Sequence, residues 1–234
     1  MKFGGTSVGK PQRMHEVAKL ITKDAEPKIV VLSAVSGTTN ALVEIGNFIS
    51  QGKREDARQK IDTLEAQYKQ FVTELVKKPD ALEKANNILK EHFEFLNIIL
   101  RISFSEALSK DILAPGELIS TKLFSVYLKE QGIDHELLPA LEFMSIDAND
   151  EPQVEAIGQK LTKLLQQTPN QKLFITQGYI CRNARGEVDN LKRGGSDYTA
   201  SFRAAAITAS GCEIWTAIDG MHNNDQRIVN KTVP

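Results

Sequence analysis

The 234-residue sequence has only two cysteines, Cys181 and Cys212. They form no closely spaced metal pair, so two reduced, partly buried thiols of a cytosolic protein are expected. It also lacks a surplus of either charge. A formal net charge of −1 gives no global field to draw the chain onto nucleic acid or an anionic membrane, although a local basic pocket stays compatible with it. No run of about 18 apolar residues occurs, so no membrane span is expected. The opening MKFGGTSV has no apolar stretch of signal-peptide length. The four histidines, His15, His92, His135 and His222, stand at no ligand spacing, and no zinc site is expected. The single tryptophan, Trp215, is expected in the core. What remains, 41% apolar and 25% charged residues, is enough for a substantial core in an ordinary globular protein.

Short continuous apolar runs read as strands covered on both faces: Lys28–Leu32, Lys172–Thr176 and Cys212–Thr216. Amphipathic helices are expected over Pro11–Thr22, Asn40–Ser50 and Ser196–Ala209. Alternating strand, polar loop and helix is the α/β pattern. From about Gly52 to Asp111 the chain is charged and helical in period, with Leu64, Tyr68, Phe71, Leu75 and Val76 three to four residues apart. Pro79-Asp80 interrupts it. A helical hairpin inserted into the α/β domain is the expectation; the heptads are too irregular to favour a coiled coil. Tyr179–Arg182 and Glu187–Asp189, separated by Asn183-Ala184-Arg185-Gly186, read as a β-hairpin. With no internal repeat and no low-complexity linker, one domain is expected.

Four loops could carry chemistry. The first is KFGGTSVGKPQ. Gly4-x-x-x-x-Gly9-Lys10 satisfies most of the Walker A pattern, but the next residue is Pro11 where a metal-holding hydroxyl is needed. The functional lysine is then Lys2, before the glycines, with Gly4 and Gly5 letting backbone N–H groups approach an anion and a helix starting near Pro11. The second loop, Ser33 to Asn40, follows a buried strand, where α/β sheets bind ligands; a plain loop with a capping Thr or Asn is the competing explanation. The third, Arg193-Gly194-Gly195-Ser196-Asp197, combines an anion nest and a helix start with an arginine able to clamp a carboxylate or phosphate. In the fourth, Pro115-Gly116-Glu117, the carboxylate lies in a first helical turn, where it is favoured anyway. Glu117 is functional only if it faces the same cleft as the other three.

Taken together, KFGGTSV, VLSAVSGTTN, PGELIS, ITQGYI, RGGSDYTA and EIWTAIDG…DQRIV occur in an order that resembles the aspartate kinases of the amino-acid kinase family, over nearly the whole chain. The resemblance implies a three-layer αβα sandwich around a mostly parallel sheet. It implies transfer of the ATP γ-phosphoryl group to the β-carboxylate of L-aspartate, the entry to lysine, threonine and methionine biosynthesis. Mg²⁺ would arrive with ATP, with no metal held by the chain itself. By resemblance Lys2 and Asp197 are catalytic, Lys2 beside the migrating phosphoryl group and Asp197 orienting it. Arg193 would take the α-carboxylate of aspartate and Glu117 its ammonium group. Ser33, Thr39 and Ser196 would position the side-chain carboxylate. Lys2, Gly4, Gly5, Thr216, Ala217, His222 and Arg227 would meet the nucleotide. Ala217 stands where related sequences usually have Asp, His222 where an aromatic is common, and Lys192 where a glycine is common. A carboxylate nucleophile is ionised at neutral pH, so no general base is required. The family continues past Pro234 with a helical segment and regulatory domains, so a C-terminally truncated catalytic domain is expected. The resemblance leaves a homo-oligomer open and implies neither a nucleic-acid nor a membrane partner. Another amino-acid kinase, a catalytically weak or inactive binding module of the same fold, and a P-loop NTPase acting through Lys10 are the alternatives.

Overall fold

Strand β2 (Lys28–Leu32) is the run KIVVL. In the computed structural model, which describes residues 1–191 and 195–215, it occupies the middle of a five-stranded sheet. The order is β3 (Glu136–Leu138), β4 (Leu173–Gln177), β2, β1 (Lys2–Phe3), β7 (Ile214–Trp215), and every pair is parallel. Both faces are covered. Val30 and Leu32 of β2 and Leu173 and Ile175 of β4 enter one apolar cluster, while Ile29 and Phe174 pack in a second. That alternation is the period of two that a strand imposes. It places helices on both sides of the sheet and gives the α/β sandwich expected.

On the first face lie α1 (Pro11–Ile21), α2 (Thr38–Ser50), α3 (Arg54–Leu75), α4 (Pro79–Ile99) and α6 (Pro115–Glu130). Helix α1 buries Met14, Val17, Ala18 and Ile21, the stripe read from sequence. Helix α2 starts two residues earlier than expected, and no side chain caps it. Gly37, with φ of 86°, occupies the N-cap position, a left-handed conformation that glycine adopts without a Cβ penalty. Helices α3 and α4 form the expected hairpin, with Leu64, Tyr68, Leu75 and Val76 buried and Phe71 half-buried. The turn between them is fastened from outside. Glu130 Oε1, at the end of α6, accepts the N–H groups of Lys77 and Lys78, each at 2.6 Å. A short helix, α5 (Glu106–Leu113), capped by the Ser105 hydroxyl, follows the hairpin and was not legible as a separate element.

Helix α6 lies between the sheet and α4 and is buried almost all round. That explains its polar interior residues. Ser120, Thr121 and Ser125 are buried, and each bonds a specific partner.

The second face carries α7 (Ala140–Phe143), α8 (Val154–Gln167) and α9 (Gly195–Ala206). Strands β5 (Ile180–Arg182) and β6 (Val188–Asn190) form the expected antiparallel hairpin. Helix α9 ends three residues short of the expected Ala209. Thr208 has a φ of 50°, which terminates the helical run. Of the third expected strand, Ile214 and Trp215 are described as β7, the last strand in the described sheet order. Two expectations fail there. Trp215 is 39% exposed, resting on the Phe3 ring at 6.0 Å, and Cys212 is exposed rather than partly buried. Cys181 is buried, and both thiols are free. Among the described residues no helix is long and apolar enough to cross a membrane.

The hairpin is part of the main core. Phe93 of α4 is 1% exposed and packs on Tyr68 of α3, ring centroids 6.0 Å apart. Phe93→Ala should therefore destabilise the protein by about 3–5 kcal/mol, read from the midpoint of urea unfolding. A hairpin merely appended to the domain would give a separate transition instead.

Candidate active site

The carboxyl ends of β1, β2 and β4 open onto one cleft of about 420 Å³. Such ends are where parallel α/β sheets bind ligands, because loops there leave the sheet together. Lys2 enters from β1, Gly4 and Gly5 from the loop after it, Ser33 and Ser36 from the loop after β2, and Thr39 from the first turn of α2. Glu117 comes from the first turn of α6, Tyr179 from beyond β4, and Asp197 from the first turn of α9.

Lys2 is the cation among the described residues that line the cleft. Its side chain is 10% exposed and its Nζ lies 2.6 Å from Asp197 Oδ1, itself half exposed. The pair joins the first strand to the last described helix and leaves Asp197 open to the cleft. Two glycines bring the first loop against the second. A Cβ on Gly5 would stand 3.0 Å from the Ala34 carbonyl, and one on Gly9 would stand 2.9 Å from both the Gly5 carbonyl and the Ser36 Cβ. Gly9 is thus a packing residue. Lys10 is exposed and is not part of the cleft wall. The Walker A near-match has no phosphate loop behind it. Arg13 of α1 steadies the same turn, its Nη1 donating to the Thr6 carbonyl at 2.6 Å.

Glu117 is the opposite case, a carboxyl group without a charge partner among the described residues. It is 3% exposed, its Oε1 accepts the Ala34 N–H at 3.3 Å, and its Oε2 has no partner among the described residues. Burial pushes its pKa up to about 8, against the pull of the Ala34 N–H. A carboxyl group in that condition accepts a cation readily. The second loop is fixed to the same helix, since Ser120 Oγ donates to the Ser33 carbonyl at 2.8 Å. It is also fixed to the hairpin through Thr38 Oγ1 and Tyr68 OH, 2.8 Å apart and buried.

The sequence brought Lys2, Gly4, Gly5, Ser33, Thr39, Glu117 and Asp197 together, and all seven line the cleft. Arg193, Thr216, Ala217, His222 and Arg227 lie outside the described residues, as does the side chain of Ser196; its backbone is in the first turn of α9. Tyr179 was read only as the start of a hairpin. It lines the cleft with φ at 63°, a strained left-handed conformation for a residue with a Cβ. Gln177-Gly178 before it was the available signal, because a glycine straight after a buried strand marks a sharp turn. Among the described residues no group of three His, Cys, Asp or Glu side chains is arranged to hold a metal ion.

Chemically, the cleft offers one buried ammonium with backbone donors for an anion, and a separate buried carboxyl group for a cation. A sequence profile described as the amino acid kinase family matches residues 1–234. Lysine-sensitive aspartokinase 3 of Escherichia coli (strain K12) is 33% identical over 233 residues, covering 98% of this chain and 51% of that protein. A chloroplastic aspartokinase 3 of Arabidopsis thaliana is 32% identical, over 97% of this chain and 42% of that protein. The crystal structure of E. coli aspartokinase III in complex with aspartate and ADP superposes with a TM-score of 0.85 at 31% identity, covering 99% of this chain and 52% of that one. The chain thus spans about half the length of these relatives or less.

Without ligand, ionising Glu117 costs stability. Its folded pKa is raised, so its contribution is complete below the ordinary value of 4.5 and is lost as pH rises through about 8. Glu117→Gln should therefore match the wild type near pH 4.5 and exceed it above pH 8, by no more than about 5 kcal/mol. Urea unfolding at pH 5 and pH 9 measures this.

Proposed function

The chain belongs to the amino acid kinase family, and from that premise we propose that residues 1–234 act as an aspartate kinase catalytic domain. The reaction is transfer of the ATP γ-phosphoryl group to the β-carboxylate of L-aspartate, giving an acyl phosphate. One observation carries the reading: Lys2, paired with Asp197, and Glu117, without a charge partner among the described residues, line the same cleft. An anionic nucleotide and a zwitterionic amino acid need those two opposite charges. The E. coli relative, crystallised with aspartate and ADP, supports the substrate pair.

In this reading the chain's residues position and neutralise. Lys2 meets the phosphoryl oxygens as charge spreads over them, which is where phosphoryl transfer needs stabilisation. Asp197 holds the Lys2 ammonium in place by the 2.6 Å ion pair. Gly4 and Gly5 leave room for backbone donors beside it. Glu117 takes the ammonium group of aspartate; Ser33, Thr39 and Ser196 take its side-chain carboxylate, and Arg193 its α-carboxylate. Thr216, Ala217, His222 and Arg227 belong to the nucleotide side. Mg²⁺ would arrive with ATP and would supply charge neutralisation on its phosphates, with no residue of the chain assigned to hold it. The β-carboxylate attacks phosphorus directly and loses no proton, so Asp197 has no base role.

With aspartate, MgATP and hydroxylamine, the acyl phosphate should be trapped as hydroxamate. Lys2→Ala should lower that rate by about 10²–10³-fold or more while aspartate binding persists. Lys10→Ala should change it by less than about twofold. Trapping abolished by Lys10→Ala and spared by Lys2→Ala would overturn the assignment.

Aspartate binding should also release a proton near pH 7. Glu117 is largely protonated in the empty cleft, and an arriving ammonium favours its ionised form. Affinity should rise with pH between about 6 and 8, by up to about tenfold per unit. Calorimetry in buffers of different ionisation enthalpy reads the released proton, and Glu117→Gln should abolish the buffer dependence.

A further inference from the structure

Three of the elements that line the cleft meet at a residue that does not line it. Gln177, the last residue of β4, is 1% exposed, and both ends of its side chain are used. Oε1 accepts the Ala140 N–H of α7 at 2.7 Å, and Nε2 donates to Thr121 Oγ1 of α6 at 2.8 Å. The Thr121 hydroxyl passes the bond on, donating to the Glu117 carbonyl at 2.8 Å. The main-chain carbonyl of Gln177 accepts Arg203 Nη2 of α9 at 2.7 Å. Arg203 lies six residues beyond Asp197 on that helix. It is 2% exposed, and its guanidinium rests over the Phe143 ring, 4.8 Å from the centroid. No carboxylate pairs with it among the described residues; its bonds go to Gln177 and to Met144 Sδ.

The chain leaving Gln177 is the third element. Gly178 N–H bonds back to the Leu32 carbonyl of β2, and Ile180 N–H bonds to the Gly178 carbonyl at 2.6 Å. That closes a three-residue turn with Tyr179 at its centre, φ 63°, against the cleft. A strained turn persists only where its surroundings fix it on both sides.

We propose that Gln177 is a positioning residue for the proposed phosphoryl transfer: its side chain sets α6 and hence Glu117, while its main chain sets α9 and hence Asp197. A carboxamide kept only for packing could be replaced by an apolar side chain of the same volume, with no buried polar group left to satisfy. Here four directed bonds end on α6, α7 and α9, with Arg203 Nη1 alone among these donors without a partner among the described residues, and directed bonds in a buried network select one arrangement of its elements over close alternatives. The proposal rests on the reading of the cleft as an aspartate and nucleotide site.

The test uses the 234-residue chain with Thr121→Val, which cuts only the α6 arm; Thr121→Ser, which keeps the hydroxyl; and Gln177→Met. Calorimetry measures aspartate and ADP separately, and amide NMR follows the ligand-free chain. Thr121→Val and Gln177→Met should each weaken aspartate binding by about tenfold, the scale of one directed hydrogen bond, with ADP affinity within about twofold. Thr121→Ser should restore it. The double variant should be no weaker than the weaker single one, because both cut one relay. In the free chain the Glu117 amide resonance should move in Gln177→Met as well as in Thr121→Val and return in Thr121→Ser, while the Asp197 amide, held through the main chain of Gln177, stays in place in Thr121→Val. Equal weakening of both ligands, failure of Thr121→Ser to restore, or an unmoved Glu117 amide in Gln177→Met overturns the positioning role. A wild-type chain that binds no aspartate overturns the functional reading instead, and the Glu117 amide still decides the role of Gln177.

Discussion

The cleft is organised around an ion pair between groups nearly two hundred residues apart. Lys2 on β1 and Asp197 on α9 meet at 2.6 Å, and the ammonium is all but withdrawn from water. An isolated lysine there would pay the full desolvation cost of its charge. The pair can form only if β1 sits inside the sheet, between β2 and β7, and α9 packs over the same strand ends. The parallel order of the sheet is therefore the condition for the cation to exist at the cleft.

At the opposite corner no such pair forms among the described residues. Glu117 enters from a helix enclosed by the sheet on one side and the α3–α4 hairpin on the other. The helical insert keeps water from Glu117 by enclosing α6 and, through Glu130, is itself fastened to that helix. Burial that would be a fault in a structural residue gives the cleft a group whose charge depends on what occupies it.

Much of this was legible in the sequence, for physical reasons that differ by element. KIVVL and LFITQ are read correctly because a strand buried on both faces has no polar alternation to obscure it. Helix α1 is read correctly because Pro11 marks its start and four apolar residues fall on one stripe. The cleft residues were legible only as a set. Gly4, Ser33, Glu117 and Asp197 each have an ordinary local explanation, and only the order of their motifs along the chain joins them. What stayed hidden depends on contacts without local signature. Trp215 is exposed on a strand whose position in the sheet no hydropathy pattern encodes. Gln177 stands one residue past the run Lys172–Thr176 read as a strand, and its bonds run to residues 37 and 56 positions away in the chain. Gly9 fitted the wrong motif because spacing alone cannot separate a glycine that admits phosphate from one that admits a neighbouring loop.

The separation of Lys2 from Asp197 also has a consequence for biosynthesis on the ribosome. At about 5–20 residues per second, the lysine emerges roughly 10–40 s before the carboxylate that will hold it. During that interval β1 can pair with β2, but the ammonium has no counterion and stays in water. Commitment of the nascent strand to the interior is thus deferred until α9 arrives, and the Lys2–Asp197 end of the cleft matures only then.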